Sequence, residues 1–251
     1  MKALLLIFSI CIFNIAFAEN PRIIHVYVAL CDNVNQGIVP VPKAIGNGQD
    51  APKNLYWGCG YGVKTYIKKS ADWTFVKSFP KPKENILERI IFKHKTSNTY
   101  LVADAYDGAY MQKTIEDFFS SLSGNDKEFI KADTVTLNMN HASLIAFVGH
   151  DGLMDFTLDK TYSKATVVKE SIILACYSKS YFSSFIKQIG SKPLLWSTHL
   201  MAPEAYTLKA AIDGWILKET DEQIRERAAQ AYNLFQKCGI KGARNLLVTC
   251  W

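Results

Sequence analysis

The 251-residue chain lacks most of the signals that would assign a chemistry at once. It has no phosphate loop of the form G-x-x-x-x-G-K-[ST], no G-x-S-x-G nucleophile elbow, no H-E-x-x-H, no paired C-x-x-C and no Asp-rich calcium loop. The glycine-rich run Gly58-Cys59-Gly60-Tyr61-Gly62 misses the dinucleotide spacing, because Val63 stands where a third glycine is needed. Repeats and low-complexity segments are absent, which excludes solenoids and arrays. Charge of one sign is never massed: 29 Lys and Arg face 23 Asp and Glu, and the densest cationic groups are Lys68-Lys69 and Lys81-Pro82-Lys83. That excludes a nucleic-acid arm and leaves at most weak attraction to acidic surfaces. With 49% hydrophobic residues, 14 Gly and 8 Pro, the chain is neither disordered nor collagen-like.

One long apolar run is present. Lys2 precedes residues 3–17, uncharged and mostly apolar, which end in Ala16-Phe17-Ala18. A basic start, a short apolar middle and an A-x-A site form the layout of a secretory signal peptide, and the run is short for a membrane span. Ile10 before Cys11 is too large for lipoprotein cleavage. The expectation is an exported chain, periplasmic or extracellular, whose residues 19–251 form one domain without a membrane span. Export makes the cysteines informative. Cys31, Cys59, Cys176, Cys238 and Cys250 remain, an odd set that leaves at least one unpaired within the chain. Pairing Cys31 with Cys59 and Cys238 with Cys250 would leave Cys176 free; other pairings and a fully reduced chain also fit.

Hydrophobic periodicity supplies the fold class. Residues 23–30 (IIHVYVAL) read as a buried strand, followed by residues 32–56, a long loop rich in Gly, Pro, Asn and Asp. Residues 62–69 read as a helix, and residues 86–92, 100–105, 143–148, 171–175 and 193–196 as strands. Met111, Ile115, Phe118, Phe119 and Leu122 recur at helical spacing and stop at Gly124; residues 181–189 form another helix ending at Gly190. Pro203 suits a helix N1 position, with Leu208, Ala211, Ile212 and Trp215 buried. Thr220 and Gln223 make a capping box, with Gly239 as the stop, and residues 245–249 suggest a terminal strand. Strands alternating with helices predict an α/β fold with a mostly parallel sheet.

Two of these strands run directly into reactive side chains: residues 143–148 into Gly149-His150-Asp151-Gly152, and residues 171–175 into Cys176. In an open α/β sheet ligands bind beyond the carboxyl ends of the strands, so parallel neighbours would bring His150 and Cys176 to one edge. Such a His can activate a thiol and protonate a leaving group. Each residue also has a plainer reading, as a loop histidine and a small buried hydrophobe. His199, after residues 193–196, is the alternative base. His25 reads as core, His94 as a strand end, and His141 lies at the opposite edge. His150, Asp151 and Asp155, with Asp104 and Asp107, offer a metal rival without any metal-binding spacing, so no metal is expected.

A hydrophobic block ending in His-Gly, followed by one ending in Ala-Cys, resembles the signature of the caspase-like cysteine peptidases, which include caspases, gingipains, legumains and clostripain. The resemblance rests on Val148-Gly149-His150-Asp151-Gly152 and Leu174-Ala175-Cys176. It implies a three-layer αβα sandwich, Cys176 as nucleophile, His150 as general acid/base, a peptide or protein substrate and no cofactor. It also implies an oxyanion hole from the backbone N–H groups of the Cys and of the Gly after the His. Here Asp151 intervenes, so that role falls to the Asp151 or Gly152 amide. By the same resemblance Asp32, after the first strand, would line a substrate pocket for a basic side chain, against its plainer reading as a turn residue. A catalytically silent envelope-binding protein, and an amidase acting on cell-wall peptides, are the alternatives. Oligomeric state stays open.

Overall fold

The computed structural model describes residues 20–251, so the expected leader peptide and Cys11 lie outside the described residues. In chain order the elements are β1 (Arg22–Ala29), α1 (Val63–Lys69), β2 (Trp73–Lys83), β3 (Ile86–His94), β4 (Thr99–Tyr106), α2 (Met111–Leu122), β5 (Phe129–Ala132), β6 (Val135–Asn138), β7 (Ala142–Val148), β8 (Glu170–Leu174), α3 (Ser178–Ile189), β9 (Lys192–Ser197), α4 (Ala205–Ile216), α5 (Asp221–Gln236), α6 (Ile240–Leu246) and β10 (Leu247–Val248). Eight strands form one sheet in the order β10-β9-β8-β7-β1-β4-β3-β2, and β5 pairs with β6 as a separate hairpin. The run from β9 to β4 is parallel; β3, β2 and β10 are antiparallel additions at the edges.

The central strands are apolar on both faces because both faces are covered. Along β1 the period of two sorts side chains into separate cores. Ile24, Val26 and Val28 pack with residues of α1, α4, α5 and α6, whereas Ile23, Tyr27 and Ala29 pack with residues of α2 and α3. This is an α/β three-layer αβα sandwich. The expected amphipathic faces meet the sheet: Ile115, Phe118 and Phe119 of α2 are fully buried, as are Leu208, Ala211 and Ile212 of α4. Among the described residues no helix is long and apolar enough to cross a membrane.

The differences have local causes. β2 is an edge strand bearing Pro80 and Pro82, mostly exposed, so it shows no apolar alternation; proline and lysine on an edge block further strand pairing. α4 begins at Ala205 with Glu204 as its cap, placing Pro203 outside the helix. The capping box of Thr220 and Gln223 is formed in full. α5 ends at Lys237 in the left-handed region, and Gly239 (φ 79°) instead opens α6, which takes residues 245–246 of the expected terminal strand and leaves residues 247–248 to the short β10. All five described cysteines are free thiols, so the pairings of Cys31 with Cys59 and of Cys238 with Cys250 are not made.

One ionic network sits inside the sandwich. Arg89 of β3 donates Nε and Nη2 to the two oxygens of Asp104 on β4, at 2.6 and 2.7 Å, and His25 of β1 reaches the same carboxylate at 3.0 Å. Burial opposes ionisation of Asp104, but the Arg89 charge outweighs it and holds the carboxyl well below the usual range. Asp104→Asn should therefore destabilise by about 3–5 kcal/mol, because it leaves the buried guanidinium with the half-buried Glu128 alone and takes from buried His25 its nearer carboxylate. The depressed folded-state value means that this contribution is complete above about pH 4 and drains as pH falls further. The gap between the urea midpoints of wild type and variant should be constant from pH 7 to about pH 5 and narrow steadily from about pH 4 to pH 2.

Candidate active site

Register places the two reactive residues side by side. β1, β7 and β8 are parallel neighbours at the centre of the sheet, with Val28 opposite Val148 and Val148 opposite Leu174. His150 and Cys176 each lie two residues beyond the Val148–Leu174 pair. They therefore leave the sheet at the same height on adjacent strands. Both line one cleft of about 280 Å³.

Gly149 makes the exit of β7 possible. Its φ is 155°, and a Cβ there would stand 2.8 Å from the Ala29 carbonyl oxygen at the end of β1. Only glycine lets β7 lie this close to β1 while turning His150 out of the sheet. The exit of β8 is held differently. Tyr177 adopts a left-handed conformation (φ 50°) uncommon for a residue with a side chain, and its N–H donates to the His199 carbonyl at 3.0 Å. Beneath it, buried Ser178 and Ser197 lock the turn: Ser178 Oγ donates to the Ile173 carbonyl at 2.9 Å and accepts the Ser197 N–H at 2.9 Å, and Ser197 Oγ donates to the Ala175 carbonyl. These two serines carry no motif; only the adjacency of β8 and β9 brings them together.

His150 is buried, and its Nε2 lies 2.7 Å from Asp155 Oδ2. The same oxygen accepts the Gly37 N–H at 2.9 Å, so the loop that follows β1 helps to hold the carboxylate. With a proton on Nε2 directed to Asp155, Nδ1 is the ring nitrogen left to take one. Sequence reasoning weighed Asp155 only as a metal ligand. Its spacing of five residues after His150 was the available signal.

Cys176 is half-buried. Its Sγ accepts the Met201 N–H at 3.4 Å, and the thiol reaches the Met201 carbonyl at 3.6 Å. Burial pushes this thiol up, and the Asp151 charge adds to the effect. Cys176 thus rests as a thiol, and only with a base beside it would it become a nucleophile.

Asp151 and Gly152 lie behind the cleft wall. Gly152 is packed so closely that a Cβ would strike Met111 and Phe156. Asp151 Oδ1 accepts the Leu153 N–H at 3.0 Å, while its buried Oδ2 has no partner among the described residues. Burial, together with the charge of Asp155, pushes the Asp151 carboxyl up to about 7.

The other expected residues sit elsewhere. Asp32 is buried and spent on its own turn: Oδ1 accepts the N–H of Val34 and Asn35, and Oδ2 accepts the side-chain amides of Asn35 and Gln49. It does not line the cleft. His199 is exposed, with Nδ1 2.8 Å from Thr198 Oγ1, and its ring lies against Tyr177 outside the cleft. Among the described residues no three His, Cys, Asp or Glu side chains gather to hold a metal ion.

No family model, curated protein or solved structure matches this chain. The chemistry of the site has to be read from its own geometry.

Asp151→Asn removes a charge that appears near Cys176 only above about pH 7. The midpoint of Cys176 alkylation against pH should fall by about one unit in the variant. Rates of iodoacetamide labelling, resolved by cysteine, measure it, and an unmoved midpoint would remove Asp151 from the electrostatics of the thiol.

Proposed function

We propose that this chain is an exported cysteine-dependent hydrolase of peptide or amide bonds, akin to the caspase-like cysteine peptidases. The observation that carries the reading is the exit of His150 and Cys176 from adjacent parallel strands into one cleft, with Asp155 bound to one ring nitrogen of the histidine. This is the nucleophile, base and orienting-acid logic of a triad.

In that mechanism the Cys176 proton passes to His150 as Sγ attacks the substrate carbonyl. The tetrahedral oxyanion collapses to a thioester while the imidazolium protonates the departing amine. His150 then takes a proton from water, whose oxygen attacks the thioester, and the proton returns to the released thiolate. Asp155 fixes the tautomer and stabilises the imidazolium. The Cys176 amide is one oxyanion donor implied by the resemblance; the second, from Asp151 or Gly152, is the weaker part of the reading because both are packed behind the wall. A missing donor costs about a hundredfold in rate.

The walls of the cleft favour an apolar substrate side chain. Ile38 and Val39 approach from the loop after β1, Met154 from beyond His150, and Leu200 and Met201 from the segment before α4. A basic preference has no support, since both Asp32 oxygens are engaged. The silent-binder alternative keeps one observation in its favour, the Cys176 thiol that burial and Asp151 push up.

The test is hydrolysis of a fluorogenic peptide library by the purified chain. Cys176→Ala should abolish turnover, and His150→Ala should lower kcat by about a thousandfold. Asp155→Asn should lower kcat by about ten- to a thousandfold with KM little changed. Peptides with Leu or Met at the scissile position should exceed those with Arg. If nothing is cleaved and Cys176 alkylates identically in wild type and His150→Ala, the silent binding protein is the correct reading.

A further inference from the structure

The candidate hydrolase site has one gap, the second donor for the oxyanion. The Asp151 and Gly152 amides do not line the cleft. Another backbone N–H does stand at the sulfur, on the flank away from the histidine.

Strand order sets that flank. β8 lies between β7 and β9, so Cys176 leaves the sheet with the exit of β7 on one side and the exit of β9 on the other. His150 follows β7, while Leu200 and Met201 follow β9, and all three line the cleft. A carbonyl carbon bonded to Sγ would have the base on one side and the β9 segment on the other.

The Met201 N–H donates to Cys176 Sγ at 3.4 Å. The N–H of Cys176 bears on the same sulfur, and both amides favour negative charge there. In a tetrahedral adduct the oxygen stands two bonds from Sγ, and the sulfur, no longer a thiol or thiolate, accepts poorly. A donor that rests on the thiol is thus a short shift from the place where charge develops, as an oxyanion donor has to be. The Met201 carbonyl takes the resting S–H at 3.6 Å, and that long contact ends once the proton passes to His150.

The segment carrying this amide is held on each side. Before it, the Thr198 N–H donates to the Leu246 carbonyl at 2.9 Å, and the His199 carbonyl accepts the Tyr177 N–H at 3.0 Å. After it, the Ala202 N–H donates to the hydroxyl of buried Tyr232 at 3.2 Å, and the Ala205 N–H to the Tyr61 carbonyl at 2.9 Å. A donor fixed before reaction needs no reorganisation when the charge appears.

We propose that the backbone N–H of Met201 is the second oxyanion donor, paired with the Cys176 N–H. This rests on the hydrolase reading of the cleft. In the step it serves, the thiol proton passes to His150, the Sγ–C bond forms, and the carbonyl π pair moves onto oxygen between the two amides. Collapse then breaks the C–N bond, and the departing amine takes the proton from His150.

The experiment replaces the Met201 amide by an ester, with the α-hydroxy acid analogue of methionine inserted at position 201, so that only the N–H is lost. The probe is the peptide aldehyde acetyl-leucyl-leucinal, which adds the Cys176 thiol across its carbonyl as a hemithioacetal. Protection of Cys176 against iodoacetamide measures its Kd. Iodoacetamide alone reports the thiol, since displacement at a saturated carbon forms no oxyanion. The ester should weaken the aldehyde about tenfold or more and lower kcat on a cleaved apolar peptide about a hundredfold, with KM little changed. Alkylation at high pH, where the thiolate is complete, should stay within about twofold of wild type. Tyr232→Phe, which frees the Ala202 N–H and keeps the ring, should weaken the aldehyde and lower kcat about three- to tenfold. The proposal is overturned if the aldehyde does not protect wild-type Cys176, or if an ester variant that melts cooperatively binds it as tightly. Should the ester variant fail to fold, unchanged aldehyde affinity and kcat in Tyr232→Phe overturn it. The hydrolase reading fails by a different result, no peptide cleaved and Cys176 alkylation indifferent to His150→Ala; the aldehyde then still decides the donor.

Discussion

The parallel hydrogen-bonded register of β1, β7 and β8 is the constraint on which the rest of the site depends. Backbone pairing of Val148 with Leu174 sets two chain exits at one height, and every property of His150 and Cys176 as a pair follows from it. A one-residue slip in either strand would send one of the two to the opposite face of the sheet. Register is secured by burial on both sides: Phe147 and Ile173 on one face and Val148 and Leu174 on the other have no alternative placement that keeps them from water. The interaction that holds the site together is therefore the ordinary ladder of an α/β sheet, and the special residues are those that let the chain leave it. Gly149 does so by lacking a Cβ, Tyr177 by accepting a left-handed backbone.

The thiol chemistry follows from the same packing. Burial disfavours the thiolate, Asp151 adds a negative charge nearby when ionised, and the Met201 N–H offsets them only in part. An enzyme built this way would not store a ready ion pair. It would rely on His150 taking the proton as the nucleophile attacks, and a histidine asked to do that needs a fixed tautomer. Asp155 supplies one, and its own position depends on the Gly37 amide. The long loop after β1 thus has two tasks, walling the cleft with Ile38 and Val39 and steadying the carboxylate behind the histidine.

On the opposite face, the network of Arg89, Asp104 and His25 interrupts an otherwise apolar layer. Desolvating such groups costs several kcal/mol per ion, and close hydrogen-bonded pairing offsets the cost. α2 spans both regions: Met111 at its start packs against Gly152 behind the cleft, while Lys113 and Asp117 line a charged cavity beside the network.

The sequence by itself determined the fold class and the position of His150 and Cys176 just beyond two apolar strands. Apolar runs of β-branched residues, helical spacing in α2 and α4, and the capping box at Thr220 are local signals, because side-chain period and caps are set within a few residues. His150 and Cys176 were legible for the same reason, each directly following an apolar strand. Edge strand β2 was not, since an exposed strand with Pro80 and Pro82 has no burial to impress a period on it. Nor was the service of Asp155 to His150, the spending of Asp32 on its own turn, the five unpaired thiols, or the approach of the Met201 amide to the Cys176 sulfur. Those facts are distances between residues far apart in the chain or between turns of unspecified geometry. Composition and periodicity carry no information about such distances, and only the packed sheet and its covering helices decide them.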